Sequence, residues 1–247
     1  MSNVSISTNK LTIGYRATSG DEHVVQTDLS FSLRAGEMVC MLGPNGCGKS
    51  TLLRTLAGLQ PALSGEYTHC DTKHIALVLT ERLSMDNTTV HDVVAMGRYP
   101  YTSFLGGLTD EDEAIIAKSL QAVGFELSIF NFHLSPFNAH SDGEKQRILI
   151  AKALAQQTPI ILLDEPTAHL DLPHRILILR LLRNLAHEQG KTVLISTHEL
   201  DLALALSDRI LLMSPCARGV RLDTAENLKK ANAFTSAFGM DIFDPLG

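Results

Sequence analysis

The sequence predicts an α/β fold with a mixed, mostly parallel sheet, and three observations predict it. The first is Gly43-Pro44-Asn45-Gly46-Cys47-Gly48-Lys49-Ser50-Thr51, which fits the phosphate-binding pattern G-x-x-x-x-G-K-[ST] without a mismatch. It lies between a short apolar stretch at residues 37–42 and a helical stretch at 50–59 closed by Gly58 and Pro61, the strand–loop–helix setting that the pattern requires. The second is Ile160-Ile161-Leu162-Leu163 followed by Asp164-Glu165. An uninterrupted apolar run is what a central parallel strand, covered on both faces, should show. The third is strict alternation of apolar and polar residues at 4–15 (Val4, Ile6, Leu11, Ile13, Tyr15) and 29–33 (Leu29, Phe31, Leu33). It reads as half-buried antiparallel strands ahead of the phosphate loop.

The loop's chemistry is direct. Glycines let backbone N–H groups turn inward around an anion, and the start of the following helix adds partial positive charge. Lys49 is expected to reach the β- and γ-phosphates, and the Ser50 hydroxyl to be a ligand for Mg²⁺. The chain is therefore expected to bind a nucleotide. Cys47 sits inside the loop, so a thiol reagent there should block nucleotide entry; the residue itself reads as tolerated rather than catalytic.

The remaining elements follow in order. Tyr15 stands where an aromatic could stack on an adenine, or could merely pack the sheet; spacing alone leaves both open. Residues 17–22 are turn-rich, 65–70 and 74–79 read as strands, and Thr80-Glu81-Arg82 leaves the sheet. From 86 to 140 the character changes: a short helix at 88–98, then a loop at 99–107 with Pro100 and paired glycines. Thr109-Asp110-Glu111-Asp112 is a capping-box start to a helix that carries Ile116, Leu120 and Val123 on one face and stops at Gly124. This helical insertion, about residues 84–141, is too short for a coiled-coil arm.

Ser141-Asp142-Gly143-Glu144 then opens a helix through 157, with Ser141 as N-cap. It is either a second anion-binding helix start or an ordinary capped helix. At the end of the apolar run, Asp164 is placed to hold Mg²⁺ through water and Glu165 to polarise an attacking water. An amphipathic helix at 173–189 ends at Gly190, and a strand at 192–196 delivers His198 beyond its C-terminal end, the side of an open α/β sheet where ligands bind. A helix at 200–207, a strand at 209–213, and a tail at 224–247 with a short helix and a loose end complete the chain.

Composition narrows the classes. At 247 residues the chain has the length of one domain, and 45% hydrophobic residues supply a core. With 21 Lys and Arg against 27 Asp and Glu the net charge is −6, which argues against a nucleic-acid partner. No apolar run approaches the ~18 residues of a membrane span, and residues 1–9 lack the apolar core of a signal peptide. Cys40, Cys47, Cys70 and Cys216 show no metal spacing and read as free thiols in a reducing cytosol.

Together these pieces resemble the ATP-binding-cassette (ABC) ATPases over almost the whole chain. Gly43–Thr51 resembles their phosphate loop, Ile160–Asp164 their second acidic strand with Glu165 as the catalytic carboxylate, and Ser141–Glu144 their signature. Ala168-His169-Leu170-Asp171 resembles the D-loop, His198 the switch histidine and Tyr15 the adenine-stacking residue. The resemblance implies a P-loop NTPase core with an N-terminal antiparallel β subdomain and the inserted helical subdomain, all in one domain over residues 1–247. It implies catalysis by Glu165, His198 and Lys49. Nucleotide contacts would come from Tyr15, Gly43, Pro44, Asn45, Gly46, Cys47, Gly48, Lys49, Ser50 and Thr51, and from Ser141, Asp142, Gly143 and Glu144. Metal contacts fall to Ser50, Asp164 and the Thr80 position. Two departures stand out: His140 replaces the usual Leu before the signature, which should alter packing there, and Thr80 replaces a glutamine, which weakens the usual water-mediated link to Mg²⁺.

The resemblance further implies ATP and Mg²⁺ as cofactors and a head-to-tail homodimer in which Lys49 of one copy faces Ser141 and Gly143 of the other. Hydrolysis would open the dimer. The protein would sit peripherally on the cytoplasmic face of the inner membrane and drive a separate permease through the helical insertion and the Thr80 region, with a substrate-binding protein outside and no nucleic acid. An ABC protein of DNA repair would carry a long coiled coil, and a kinase on the same loop would need neither Ser141–Glu144 nor His198. Met96-Gly97-Arg98-Tyr99-Pro100-Tyr101, residues 104–108, Thr109-Asp110-Glu111-Asp112 and Phe238-Gly239-Met240-Asp241-Ile242-Phe243 resemble the importers of iron chelates: siderophores, haem and cobalamin.

Overall fold

The computed structural model describes residues 4–69, 74–79, 85–102, 107–126, 131–215, 219–240 and 243. Thr80, Cys70, Cys216, residues 104–106, Asp241 and Ile242 lie outside the described residues.

The alternating N-terminal segments form an antiparallel sheet. β1 (Val4–Arg16) pairs with β2 (Glu22–Arg34) on one side and with a later strand, β4 (Ser64–His69), on the other. The second sheet has the order β5 (Ile75–Val78), β6 (Ile160–Asp164), β7 (Thr192–Ser196), β3 (Met38–Leu42), β8 (Arg209–Met213), β9 (Val220–Asp223). Its first five strands are parallel, and β9 runs antiparallel on the edge.

The pleat of this sheet separates two cores. Val39 and Met41 of β3, Ile160 and Leu162 of β6, Leu194 of β7 and Leu211 of β8 face a core closed by β1, β2 and α1 (Lys49–Leu56). Their neighbours Cys40, Leu42, Ile161, Leu163, Val193, Ile195 and Ile210 face the other core. That side is covered by α2 (Val90–Ala95), α3 (Asp110–Ala122), α4 (Asp142–Ala155), α5 (Leu172–Gln189) and α6 (Leu200–Leu206). Burial on both faces is why β3 and residues 160–163 of β6 read as unbroken apolar runs. Among the described residues no helix is long and apolar enough to cross a membrane.

Three elements differ from expectation. The helix at 88–98 is α2 followed by a 3₁₀ segment, Met96–Tyr101. Pro100 has no N–H to continue an α-helix, and the Arg98 side chain is drawn inward: Nε donates to Asp112 Oδ1 (2.8 Å), and Nη1 to Ala155 O (2.8 Å) and Gln157 Oε1 (2.9 Å). The guanidinium also lies 4.1 Å from the Tyr101 ring centroid. The edge strand β9 was not expected, and the tail holds two short helices, α7 (Ala225–Lys230) and α8 (Ala233–Phe238), rather than one. The first helix ends at Leu56, where Leu59 N–H donates to Arg54 O and Gly58 N–H to Thr55 O in a Schellman closure.

Candidate functional site

β3 ends in the middle of the parallel sheet, and the phosphate loop carries the chain over its C-terminal edge into α1. Gly48, the N-cap, is left-handed at φ 98°, and a Cβ there would stand 2.7 Å from Val25 Cγ1, so a side chain is excluded. Lys49 is buried; its Nζ donates to Gly43 O (2.7 Å) and Pro44 O (3.1 Å), which aim the ammonium along the inside of the loop. A cleft lies over the loop. Asn45, Gly46, Gly48, Lys49, Ser50 and Thr51 form its floor, and Tyr15 of β1, Val25 of β2 and Glu165 after β6 form its walls. The Tyr15 hydroxyl meets Thr51 Oγ1 at 2.9 Å, and the side chain stays nearly half exposed at the mouth.

Cys47 corrects an expectation. Its thiol points into the core below the loop, 1% exposed, and does not line the cleft. Its N–H donates to Pro44 O (3.3 Å). Burial pushes the thiol pKa up, outweighing the lowering effect of Lys49. A thiol reagent cannot reach Cys47 without opening the loop.

Beyond β6 and β7 the acidic and histidine residues meet. Register pairs Asp164 with Ser196. Ser196 Oγ donates to buried Asp164 Oδ1 (2.5 Å) and accepts from Glu165 N–H (3.0 Å), which also donates to Ser196 O (3.1 Å). These bonds hold Glu165 in a left-handed backbone at φ 46°, uncommon for a non-glycine residue. Its Oε1 lies 2.5 Å from His198 Nε2. Next to it Glu199 Oε1 accepts from Thr167 Oγ1 (3.1 Å) and pairs with Arg175 Nη1 (3.3 Å), tying the turn after β6 to α5 and α6. Ser50 and Asp164 are hard oxygen donors of the kind that suit a small divalent cation.

The structure thus gathers Tyr15, Asn45, Gly46, Gly48, Lys49, Ser50, Thr51 and Glu165 around one cleft, with His198 on Glu165 and Asp164 buried behind it. Gly43 and Pro44 serve through their carbonyls. Sequence reasoning missed Val25, Ser196 and Glu199. Val25 belongs to a strand whose alternation was traced only from residue 29, and Ser196 is a small polar residue at the end of an apolar strand.

Ser141, Asp142, Gly143 and Glu144 do not line this cleft. Ser141 caps α4 in a reciprocal box: Glu144 N–H donates to Ser141 Oγ (3.3 Å), and Glu144 Oε2 accepts from Ser141 N–H (3.0 Å) and Oγ (2.8 Å). Burial alone would raise the Glu144 pKa, but the hydrogen bonds from Ser141 and the neighbouring His140 leave it lowered. A Cβ on Gly143 would stand 2.7 Å from His169 O, so this helix start packs directly on the 168–171 segment. His140 fills the expected leucine position with polar contacts: Nε2 to Ser135 Oγ (2.8 Å), Nδ1 to Glu144 Oε2 (3.6 Å), and an edge contact with Phe125.

The sequence pattern of the ABC transporter family matches residues 26–168. The chain belongs to the ABC transporter family. An uncharacterised ABC transporter ATP-binding protein of Methanocaldococcus jannaschii is 40% identical over 84% of this chain and 72% of its own length. The iron(3+)-hydroxamate import ATP-binding protein of Bacillus subtilis is 39% identical over 82% and 76%. Among solved structures, a metal-chelate-type ABC transporter in an inward-facing conformation superposes with a TM-score of 0.80 at 30% identity, covering 96% of this chain and 90% of that one. A dimeric ATP-binding cassette in a post-hydrolysis state with ADP and Pi gives a TM-score of 0.75 at 27% identity, covering 89% and 98%. The protein is an ABC ATPase, and ATP is its nucleotide.

Proposed function

We propose that this ABC ATPase is the energy-converting subunit of an importer for an iron chelate or cobalamin, bound peripherally to membrane permease subunits at the cytoplasmic face and supplied by an external substrate-binding protein. The cargo reading rests on relatives at 34–39% identity named for import of iron-hydroxamate, petrobactin, hemin and cobalamin and for transport of achromobactin. The mechanistic reading rests on one observation: Lys49 and Glu165 share a cleft that the Ser141–Glu144 helix start does not line. Two copies head to tail bring the missing half, so ATP is held between Lys49 of one protomer and Ser141 and Gly143 of its partner.

Within that site Tyr15 stacks on the adenine and the loop N–H groups hold the phosphates. Lys49 neutralises the β- and γ-phosphates. Ser50 directly and Asp164 through water would hold Mg²⁺, which supplies charge neutralisation on the phosphate oxygens. Glu165 accepts a hydrogen bond from the attacking water, and His198 fixes the carboxylate's direction. Water attacks the γ-phosphorus as the bond to the β-phosphate oxygen breaks, giving ADP and phosphate and removing the anion that holds the protomers together. The residues 96–101 and 109–112 that resemble chelate importers are joined through Arg98 and Asp112, so part of their pattern serves packing. Deleting the gene and measuring uptake of labelled siderophore, haem and cobalamin tests the cargo; normal uptake of all three refutes it. Lys49→Ala in the purified protein tests the site, with hydrolysis expected to fall on the order of 10²–10³-fold.

A further inference from the structure

His91, Glu113 and His133 converge outside the nucleotide cleft, and nothing in the ATPase cycle uses them. His91 is the second residue of α2, Glu113 lies in the first turn of α3, and His133 lies in the stretch between α3 and α4. One ligand atom from each lies within 4.8 Å of the other two. His91 Nε2 is 2.9 and 3.1 Å from the two Glu113 carboxylate oxygens. The His91 and His133 rings lie 4.5 Å apart at 31°, and Phe132 packs 4.3 Å from the His133 ring. The backbone is tied as well: His91 N–H donates to Phe132 O (3.0 Å) and Val90 N–H to Ser135 O (2.9 Å). The cluster therefore joins three separate elements and is set by tertiary structure. His91 is mostly buried while His133 is exposed, so one ligand is fixed and the site opens to solvent.

We propose that His91, Glu113 and His133 bind one divalent transition-metal ion of the zinc class. Two imidazole nitrogens and one carboxylate oxygen form a donor set for borderline cations, and two imidazoles select against calcium and magnesium. At metal–ligand distances of about 2.0–2.2 Å, tetrahedral ligands stand roughly 3.3–3.5 Å apart. His91 and Glu113 already stand close enough, and the widest separation must close by up to roughly 1.5 Å, which rotation of the exposed His133 and half-buried Glu113 side chains supplies. Behind His91, Nδ1 faces Asp92 Oδ1 at 3.8 Å, and Asp92 is itself fixed by the Thr89 capping box. A carboxylate on the far nitrogen of a ligating histidine orients the ring and raises its basicity. On binding, His91 takes the tautomer with its proton on Nδ1, toward Asp92, which frees the Nε2 lone pair for the ion, and water completes the coordination. The ion would pin α2 and α3 to the stretch that runs through Ser135, the hydrogen-bond partner of His140, to Ser141.

The test uses untagged, chelator-stripped full-length protein without nucleotide. Zn²⁺ is titrated in competition with a chromophoric chelator, and Co²⁺ by its visible d–d absorption. Wild type should take up one equivalent that raises Tm and gives Co²⁺ bands of a nitrogen–oxygen site. His133→Ala, a surface change that spares the core, and Glu113→Gln should each weaken that equivalent by ~10-fold or more and abolish its Tm shift. Metal held by His198 and Glu165 would survive both substitutions, which distinguishes the two locations. Absence of a stoichiometric Zn²⁺ equivalent, or unchanged affinity in both variants, overturns the site.

Discussion

Glu165 Oε1 and His198 Nε2 are 2.5 Å apart, so the carboxylate after β6 and the histidine after β7 act as one unit. The parallel register Asp164↔Ser196 makes this contact, because it brings the C-terminal ends of the two strands level. Replacing Glu165 by Gln keeps the shape and removes the charge that polarises water. Hydrolysis should fall on the order of 10²–10⁴-fold while ATP binding persists. His198→Ala should lower kcat and leave the Kd for ATP nearly unchanged, since the imidazole touches the carboxylate rather than the loop. Sizing Glu165→Gln with ATP should show a persistent dimer, and a species that stays monomeric at saturating ATP counts against the two-copy site.

Ser196 supports both acids at once, donating to Asp164 and accepting from the Glu165 backbone. Ser196→Ala removes both bonds without touching the cleft. The expected result is a loss of kcat of roughly 10–100-fold, the scale of outer-shell changes, with ATP affinity little altered. Turnover matching wild type in this variant would show that the backbone bond from Glu165 to Ser196 O holds the acid alone.

The inward turn of Cys47 gives a chemical prediction. The reactive species is the thiolate, and burial raises the pKa of this thiol. A brief pulse of a thiol reagent should leave Cys47 unlabelled in the folded protein and label it in urea, with mass spectrometry assigning the site. ATPase activity should survive that pulse. Rapid labelling of Cys47 with loss of ATP binding would place the thiol on the cleft side.

The parallel sheet was legible because its strands are buried on both faces, and the phosphate loop because glycine spacing and Lys49 are fixed by the anion they hold. The Thr109 and Ser141 helix starts were legible from capping chemistry, which acts over four residues. Thr89 forms the same box with Asp92 and carries the same spacing, yet the helix read at 88–98 was given no cap. What stayed hidden depends on contacts distant in sequence. Gln26 Nε2 donates to Ser214 O across 188 positions, Ser196 meets Asp164 across 32, and Arg98 meets Ala155 across 57. The edge strand β9 alternates Val220, Arg221 and Leu222 but spans only four residues, too short for periodicity to register.

The Arg98–Asp112 pair predicts a pH dependence of stability. Both side chains are almost fully buried, at 6% and 7% exposure. The Thr109 backbone N–H, then Arg98, then the Thr109 hydroxyl hold the Asp112 pKa down at about 2. A carboxyl lowered in the folded state stabilises fully above its ordinary value near 3.8, and that contribution is lost as pH falls toward about 2. Asp112→Asn removes the charge that faces Arg98, so it should be less stable than wild type at neutral pH. The difference in urea midpoint between the two proteins should hold steady down to about pH 4 and narrow below it, as wild-type Asp112 takes up its proton. Asp92, Glu144, Asp171 and Asp223 also have lowered values, but they titrate in both proteins and cancel in the difference. A gap that stays constant or widens on acidification, down to the lowest pH at which both proteins fold, would mean that the ion pair with Arg98 contributes no charge-dependent stability and that the two residues meet only as a packing contact.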